Sequence, residues 1–549
     1  MKRRMFLWLL TALASASGTT GAAAEPSPAA RSRVEIRDGW YYLDGRKVFV
    51  NALGYETGAR PGQHPYEQRV TQLALLRSDL AAIKAAGFNA IRTWLELREE
   101  ELAVVRESGL LVVFGIWVPP GEDFSDPRVV ARDEALVRRV LSYSRRYDNI
   151  ITYLIMNEPM PEHVRRVGAR ATVELWTRLR DIIHAEHPGV PVTITGNAAI
   201  GAWVDMNLFD VYAYNVYDYE DGTNYTHRFA NGNRALAELN AKGKPLVITE
   251  FGRSVSRSGG DQYGGNTLRQ QMDAVLRDYR GLLDAGAAGA CPFYFADGWW
   301  KGGAPAVHDD TPEEWFGFWG YADPKDALGY PRPVWHALEV YNKAIVASPR
   351  NGVFYQDEVP LEVFLQDDVA RLRVIDRDRI IFEKAGLPNG YFAATLSFAG
   401  GPLADRELVL EFYDAAGKLL KLETLVILTG KEPIVWPTLE LRTASRDLAE
   451  GGDVAIDVTL KNDTVFSLGS ELRYVFAPHL GWERGERHRA AIDPQKHQQQ
   501  LHEQYRVPGA SQVLGLYAGA DVSYGKFVRT ICAQQFLYRG AWAEAMRLR

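Results

Sequence analysis

At 549 residues the chain is too long for one ordinary domain, and 46% hydrophobic residues can supply real cores, so one large domain with one or two smaller ones is expected. A net charge of −6 leaves no footprint for nucleic acid or an anionic membrane surface. Two cysteines exclude a disulfide scaffold, and the 11 His show neither His-x-x-x-His spacing nor Cys/His clusters, so neither a catalytic metal nor a cofactor is expected.

Met1-Lys2-Arg3-Arg4 precedes a short apolar run, Met5 to Leu10, and small residues follow down to Ala22-Ala23-Ala24. This is the pattern of a signal peptide over residues 1–24, and it implies an exported (periplasmic or secreted) protein. Arg3-Arg4-x-Phe6-Leu7 resembles the twin-arginine export motif. Ser, Gly and Thr dilute the run well short of about 20 apolar residues, so stable membrane insertion is not expected.

After Glu25 to Ser32, Trp40 to Arg46 reads as a hairpin turning at Asp44-Gly45. Short apolar strands then alternate with amphipathic helices. The strands are Val48 to Leu53, Ala90 to Trp94, Leu110 to Trp117, Ile151 to Met156, Pro191 to Thr195, Val211 to Val216, Pro245 to Thr249 and Ala290 to Phe295. Helices are expected over Leu75 to Ala86, from Glu99 to Gly109, through Leu136 to Leu141, and over Val173 to His187. Three more fall near Ala235 to Ala241, through Leu268 to Leu283, and over Val334 to Ile345. Eight strands separated by helices are the signature of a (β/α)8 TIM barrel, here over 33–348. Cys291 falls in an apolar strand, which favours a buried thiol over a single bridge to Cys532.

Beyond Pro349 the texture becomes β-rich, with alternation at Val359 to Leu365, Leu408 to Tyr413, Val454 to Leu460 and Glu471 to Phe476. Turns are expected at Asp414 to Gly417 and Lys461 to Asp463. We read a C-terminal β-sandwich module over 349–434 and a second, immunoglobulin-like one over 435–549, divided near Pro433 to Pro437. The polar stretch Pro494 to Gln504 reads as a loop or a short exposed helix.

Two strands end on carboxylates. Tyr153 to Met156 runs into Asn157-Glu158-Pro159, where Pro159 stops the ladder and is expected to keep Glu158 extended. Leu246 to Thr249 runs into Glu250-Phe251-Gly252. These are the fourth and seventh strands, and active sites of this fold lie at the C-terminal strand ends. Two carboxylates so placed are what a glycosidase needs: one acid for the leaving oxygen and one nucleophile beneath the sugar.

The motifs extend this. Gly87-Phe88-Asn89-Ala90-Ile91-Arg92-Thr93, Asp148-Asn149-Ile150 leading to Asn157-Glu158-Pro159, Asp210-Val211 through Asn215 and Tyr217, Thr249-Glu250-Phe251-Gly252, and Phe295-Ala296-Asp297 fall in order on successive strands. Together they resemble the catalytic barrel of glycoside hydrolase family 2, which contains β-galactosidases and β-glucuronidases. That family belongs to a clan of retaining enzymes with carboxylates on strands 4 and 7. The resemblance covers about residues 35 to 345. It departs from the family in three places: no sandwich precedes the barrel, Trp94-Leu95-Glu96-Leu97 replaces a Ser-His-Tyr-Pro, and the usual eighth-strand Trp falls on Phe293. The plan is nearer to family 5 enzymes or glucanosyltransferases.

The resemblance implies a retaining β-glycoside hydrolase acting on a glycan or oligosaccharide, with Glu158 as acid/base and Glu250 as nucleophile. A transglycosylase shares the same site, and a non-catalytic carbohydrate-binding barrel is the alternative from another class. Arg92 is expected to hold Glu250 ionised, and Asn157 to bind the hydroxyl next to the reacting carbon. Asn215 and Tyr217 share one face of the sixth strand and Tyr214 the other, so Tyr217 is the favoured hydroxyl for the nucleophile. Trp299 and Trp300 are expected as a sugar-stacking floor, with Trp94, Trp117 and Trp203 as further candidates. Glu56 and Glu96 read as hydroxyl-binding or solvated, and Glu122 to Asp126 with Asp309 to Trp319 as rim segments.

Overall fold

A computed structural model describes residues 34–540 apart from 68, 160, 198–205, 218–242, 260–263, 399–400, 446, 449–451, 478–485, 510 and 512. The expected signal peptide, the helix expected near Ala235 to Ala241, and Trp203 lie outside the described residues. Three antiparallel strands come first: β1 (Val34–Arg37), β2 (Trp40–Leu43) and β3 (Arg46–Val48). Asp44 and Gly45 both take positive φ between β2 and β3, as a two-residue Asp-Gly hairpin turn requires.

The barrel follows: β4 (Val50–Gly54), β5 (Ala90–Arg92), β6 (Leu111–Gly115), β7 (Ile150–Asn157), β8 (Val192–Asn197), β9 (Tyr212–Asn215), β10 (Leu246–Phe251) and β11 (Gly289–Pro292). Each pairs in parallel with its neighbour, and β11 closes onto β4. The helices are α1 (Leu73–Ala85), α2 (Glu99–Ser108), α3 (Pro127–Ser144), α4 (Pro161–Val167), α5 (Ala169–Glu186), α6 (Leu268–Asp284) and α7 (Pro333–Tyr341). Their ends follow local chemistry. Asp126 caps the first amides of α3 ahead of Pro127, Thr267 and Gln270 form a capping box on α6, and left-handed Gly109 closes α2.

Two layers of apolar side chains hold the barrel. Val50, Ala52, Ala90, Val113, Leu154, Val211, Ala213 and Val247 fill its interior. Ile83, Val105, Val140, Trp176, Leu179 and Leu282 pack the helices against its outside. Each such fully buried Val, Leu or Ile side chain contributes roughly 1.5–3 kcal/mol. Cys291 is a free thiol buried in β11, and Cys532 is half-buried.

Two pairs of largely antiparallel sheets follow. A three-stranded sheet (Ala344–Ser348, Glu358–Leu365, Gly390–Ser397) packs Leu361 and Val363 against Leu372, Leu408 and Leu410 of a five-stranded one. After 430–437, a second three-stranded sheet packs Ile456, Val458 and Tyr505 against Leu472, Leu514 and Leu516 of a four-stranded one. The helix expected over Val334 to Ile345 stops at Tyr341, because the β-branched Ile345 and Val346 pair with the strand Glu358–Leu365 instead. The stretch Pro494 to Gln504, expected as loop or helix, enters a strand, Gln498–Arg506. Its alternate residues Gln499, Leu501 and Glu503 are half-buried and Tyr505 is buried, so a one-sided period of two is present under long polar side chains.

The first sandwich is clamped to the barrel by buried charge. Arg280 of α6 reaches both Asp284 (2.8 Å) and Glu423 (2.9 Å), and Lys421 closes on the other Glu423 oxygen (2.9 Å). Lys421 also donates to the carbonyls of Tyr341 (3.0 Å) and Ala344 (2.5 Å), where α7 hands over to the first sandwich strand.

Candidate active site

The C-terminal strand ends bring Arg92, Asn157, Glu158, Asn215, Tyr217 and Glu250 together. Asn157 is the last residue of β7, and Glu158 follows it. Glu158 N–H still donates to the Thr195 carbonyl of β8 (2.8 Å), but its φ is +48°, not extended as a residue before proline should be. A left-handed glutamate costs on the order of 1–3 kcal/mol, and such strain is kept where the surroundings over-determine it. Here the turn delivers the carboxylate to Asn215, whose Nδ2 donates to Glu158 Oε1 (2.8 Å). Asn215 is itself fixed, because its Oδ1 accepts from Thr195 (3.0 Å) and Thr249 (2.8 Å).

Glu250 lies within β10 beside Asn215, its Cα partner across the β9–β10 ladder. It is 6% exposed, so its charge depends on protein donors. Oε1 accepts from the Trp94 indole (2.8 Å) and faces Arg92 Nη1 at 3.1 Å. Oε2 accepts from the Tyr217 hydroxyl (2.9 Å). Arg92 is fully buried and uses its second terminal nitrogen on Asn157 Oδ1 (2.5 Å), so one guanidinium orients both residues. Its carbon sits 3.7 Å from the Trp94 ring centroid. The indole has room only because residue 54 is glycine: a Cβ there would fall 2.7 Å from Trp94 Cη2.

The two carboxyls are electrostatically distinct. Burial pushes the Glu158 carboxyl up to about 7, the Glu250 charge pushes in the same direction, and the Asn215 amide pulls the other way. Glu250 is instead surrounded by three donors. A carboxyl disposed to hold its proton and a carboxyl surrounded by donors therefore lie at one barrel mouth.

Other expected residues are placed as follows. Tyr214 is buried against Tyr212 in the layer between the barrel and its helices. Trp299 is 4% exposed and stacks on His308 (4.6 Å), which stacks in turn on Trp315 (3.6 Å), so it packs the rim from within. Trp300 is half-buried and meets His64 and Tyr66, each with ring centroids 5.0 Å away. Trp117 meets the other side of Tyr66 at 5.3 Å. Glu96 pairs with Arg139 of α3 (3.0 Å), and Glu122 pairs with Arg132. The rim from Gly298 to Trp319 is anchored by Asp297, which takes both terminal nitrogens of Arg332 (2.5 and 2.9 Å) and the Gly317 amide (3.0 Å).

Three contributions were missed from sequence. Trp94, a further candidate for sugar stacking, instead donates its N–H to Glu250. Thr195 and Thr249 orient Asn215, and a hydroxyl residue at the end of each apolar strand was the available signal. Tyr66, from the loop after β4, carried no motif at all. Among the described residues no group of three or more His, Cys, Asp or Glu side chains could hold a metal ion.

No protein-family model matches the chain, and no curated protein matches it. Among solved structures it is similar to a Parabacteroides merdae β-glucuronidase, with 14% identity and a TM-score of 0.45 over 91% of this chain and 63% of that one. It is also similar to Bacteroides uniformis β-glucuronidase 2, with 12% identity and 0.45 over 92% and 67%. A third is a family 2 β-galacturonidase from Eisenbergiella tayi, with 18% identity and 0.45 over 57% and 53%. The chain spans under two thirds of the length of the first of these, and at such distances they add nothing to what the barrel itself shows.

Proposed function

We propose that the chain is a retaining β-glycoside hydrolase that cleaves a glycan or oligosaccharide by double displacement. The observation that supports this is the pairing at one barrel mouth of Glu158, a carboxyl pushed up to about 7, with Glu250, a carboxylate held by Arg92, Trp94 and Tyr217. Glu158 keeps its proton near neutral pH and gives it to the leaving glycosidic oxygen. Glu250 attacks the anomeric carbon and forms a glycosyl ester. Its Oε2 is the attacking oxygen, because Oε1 is taken by the guanidinium and the indole while Oε2 has one neutral donor. The Glu250 charge is then lost, the Glu158 carboxyl becomes more acidic, and Glu158 takes a proton from the incoming water. Water completes hydrolysis, and a sugar hydroxyl in its place would give transglycosylation from the same intermediate.

Asn157, oriented by Arg92, is placed for the hydroxyl beside the reacting carbon. The chemistry asks for no cofactor. The leader over residues 1–24 supports export, which N-terminal sequencing of the mature protein tests directly. The reaction is tested by proton NMR during hydrolysis of a panel of aryl β-glycosides. Early appearance of the β-anomer supports the proposal, and early appearance of the α-anomer or inertness of the whole panel rejects it.

A further inference from the structure

We propose that Glu56 is a specificity-determining residue: with the indole N–H of Trp300 it holds one hydroxyl on the edge of the reacting sugar that faces away from Asn157. This rests on the glycosidase reading above and names what that site selects.

Glu56 leaves β4 two residues after Gly54, where the Tyr55 amide donates to the Arg92 carbonyl (2.9 Å) and ties the exit to β5. The side chain is half-buried and its Oε2 is fully enclosed, with no hydrogen-bond partner from the protein. The Trp300 indole nitrogen is likewise enclosed and without a protein partner. It is directed at Glu56, yet the two do not close a hydrogen bond of ordinary geometry. An orphaned buried acceptor and an orphaned buried donor each cost about 1–3 kcal/mol. One hydroxyl cures both, since it donates to the carboxylate and accepts from the indole. Neither a C–H edge nor an alkyl group can.

The surroundings mark this as part of the reacting mouth. Glu56 feels the charges of Lys301, Arg92 and Glu250, while its burial holds the carboxyl above the usual range. Lys301 sits over the rings of Phe293 (4.7 Å), Tyr294 (5.1 Å) and Trp300 (5.1 Å). Tyr66, in ring contact with Trp300 on one side and Trp117 on the other, completes an aromatic wall above Glu56. In the closed order of strands β4 is two places from β10 and three from β7, so Glu56 stands at the same mouth as Glu250 and Asn157 on a strand adjacent to neither. A sugar with its anomeric carbon at Glu250 and its C2 hydroxyl at Asn157 leaves its C3–C4–C6 edge for Glu56 and Trp300. The substrate class is therefore a glycan whose reacting sugar carries a free hydroxyl at that position, because an oxygen that bears a glycosyl or acyl substituent has no proton to donate to Glu56.

The test compares wild type, Glu56→Ala and Trp300→Phe on dinitrophenyl β-glucoside, β-galactoside and β-mannoside. The parent cleaved fastest is then set against its 3-, 4- and 6-deoxy analogues. In wild type, removing one of these hydroxyls should lower kcat/KM by about 10- to 100-fold, the cost of stranding a buried charged acceptor. In Glu56→Ala the same deoxygenation should cost less than about threefold, with Trp300→Phe in between. Glu56→Gln, which keeps the volume, carries the comparison should the alanine variant fail to fold. Loss of the same factor on the parent and on every deoxy analogue would make Glu56 a structural residue and overturn the proposal. Failure of wild type to cleave any parent rejects the glycosidase reading itself, and this inference with it.

Discussion

Glu158 should set the basic limb of the pH profile, and the expected size follows from its surroundings. With the carboxyl pushed up to about 7, half the molecules hold the catalytic proton at pH 7. A glutamate at its ordinary 4.5 would hold it in only about one molecule in three hundred, so the site favours the protonated form by on the order of 3 kcal/mol. Above pH 8, kcat/KM for a phenyl β-glycoside should therefore fall about tenfold per pH unit. Glu158→Ala should abolish that limb. Its loss of rate should be large for the phenyl leaving group and small for dinitrophenyl, which departs without a proton, and added azide should restore turnover as a β-glycosyl azide. A basic limb with the same midpoint in Glu158→Ala, or a wild-type midpoint near 4.5, would refute the assignment.

The same shift predicts a stability signature. A carboxyl whose folded value lies above its unfolded value contributes in full below about 4.5 and loses that contribution as pH rises through about 7. Glu158→Gln should therefore melt with wild type at pH 4 and above it at pH 8, and an equal difference at both values would contradict the reasoning. Tyr217→Phe removes the donor to Glu250 Oε2 and should cut kcat/KM by about 10- to 100-fold with little change in KM, measured on one aryl glycoside. Glu423→Ala removes the carboxylate partner of buried Lys421 and leaves Arg280 with Asp284 alone, and it should cost about 3–5 kcal/mol in denaturant unfolding. A loss under about 1 kcal/mol would mean that clamp is solvated.

The barrel was legible because each strand is a short apolar run stopped by a turn or breaker, and Pro159 and Gly252 punctuate the two that matter. The ordering of the motifs placed Arg92, Asn157, Asn215 and Tyr217 near both carboxylates, where their hydrogen bonds now join them. Contacts made across strands were not legible. Trp94 reaches Glu250 only because Gly54, on a neighbouring strand, leaves space for its ring. The left-handed turn at Glu158 ran against the local preference of a residue before proline, and tertiary hydrogen bonds to Thr195 and Asn215 decided it. Trp299 and Trp300 are adjacent and alike in sequence, yet the 3-10 turn that carries them buries one and leaves the other half-buried at the mouth. In the sandwiches, the strand Gln498–Arg506 hid its alternation because glutamine and glutamate can cover an apolar neighbour with their stems.

The measurement that bears most directly on the account is intact mass, with peptide mapping, after incubation with activated 2-deoxy-2-fluoro β-glycosides. The fluorine slows both steps, the good leaving group restores the first, and the glycosyl ester accumulates. The account predicts one adduct per chain, mapped to Glu250, absent from Glu250→Gln and released by a sugar acceptor. An adduct on Glu158 or elsewhere, or none with any sugar while the parent glycosides are hydrolysed, would contradict it.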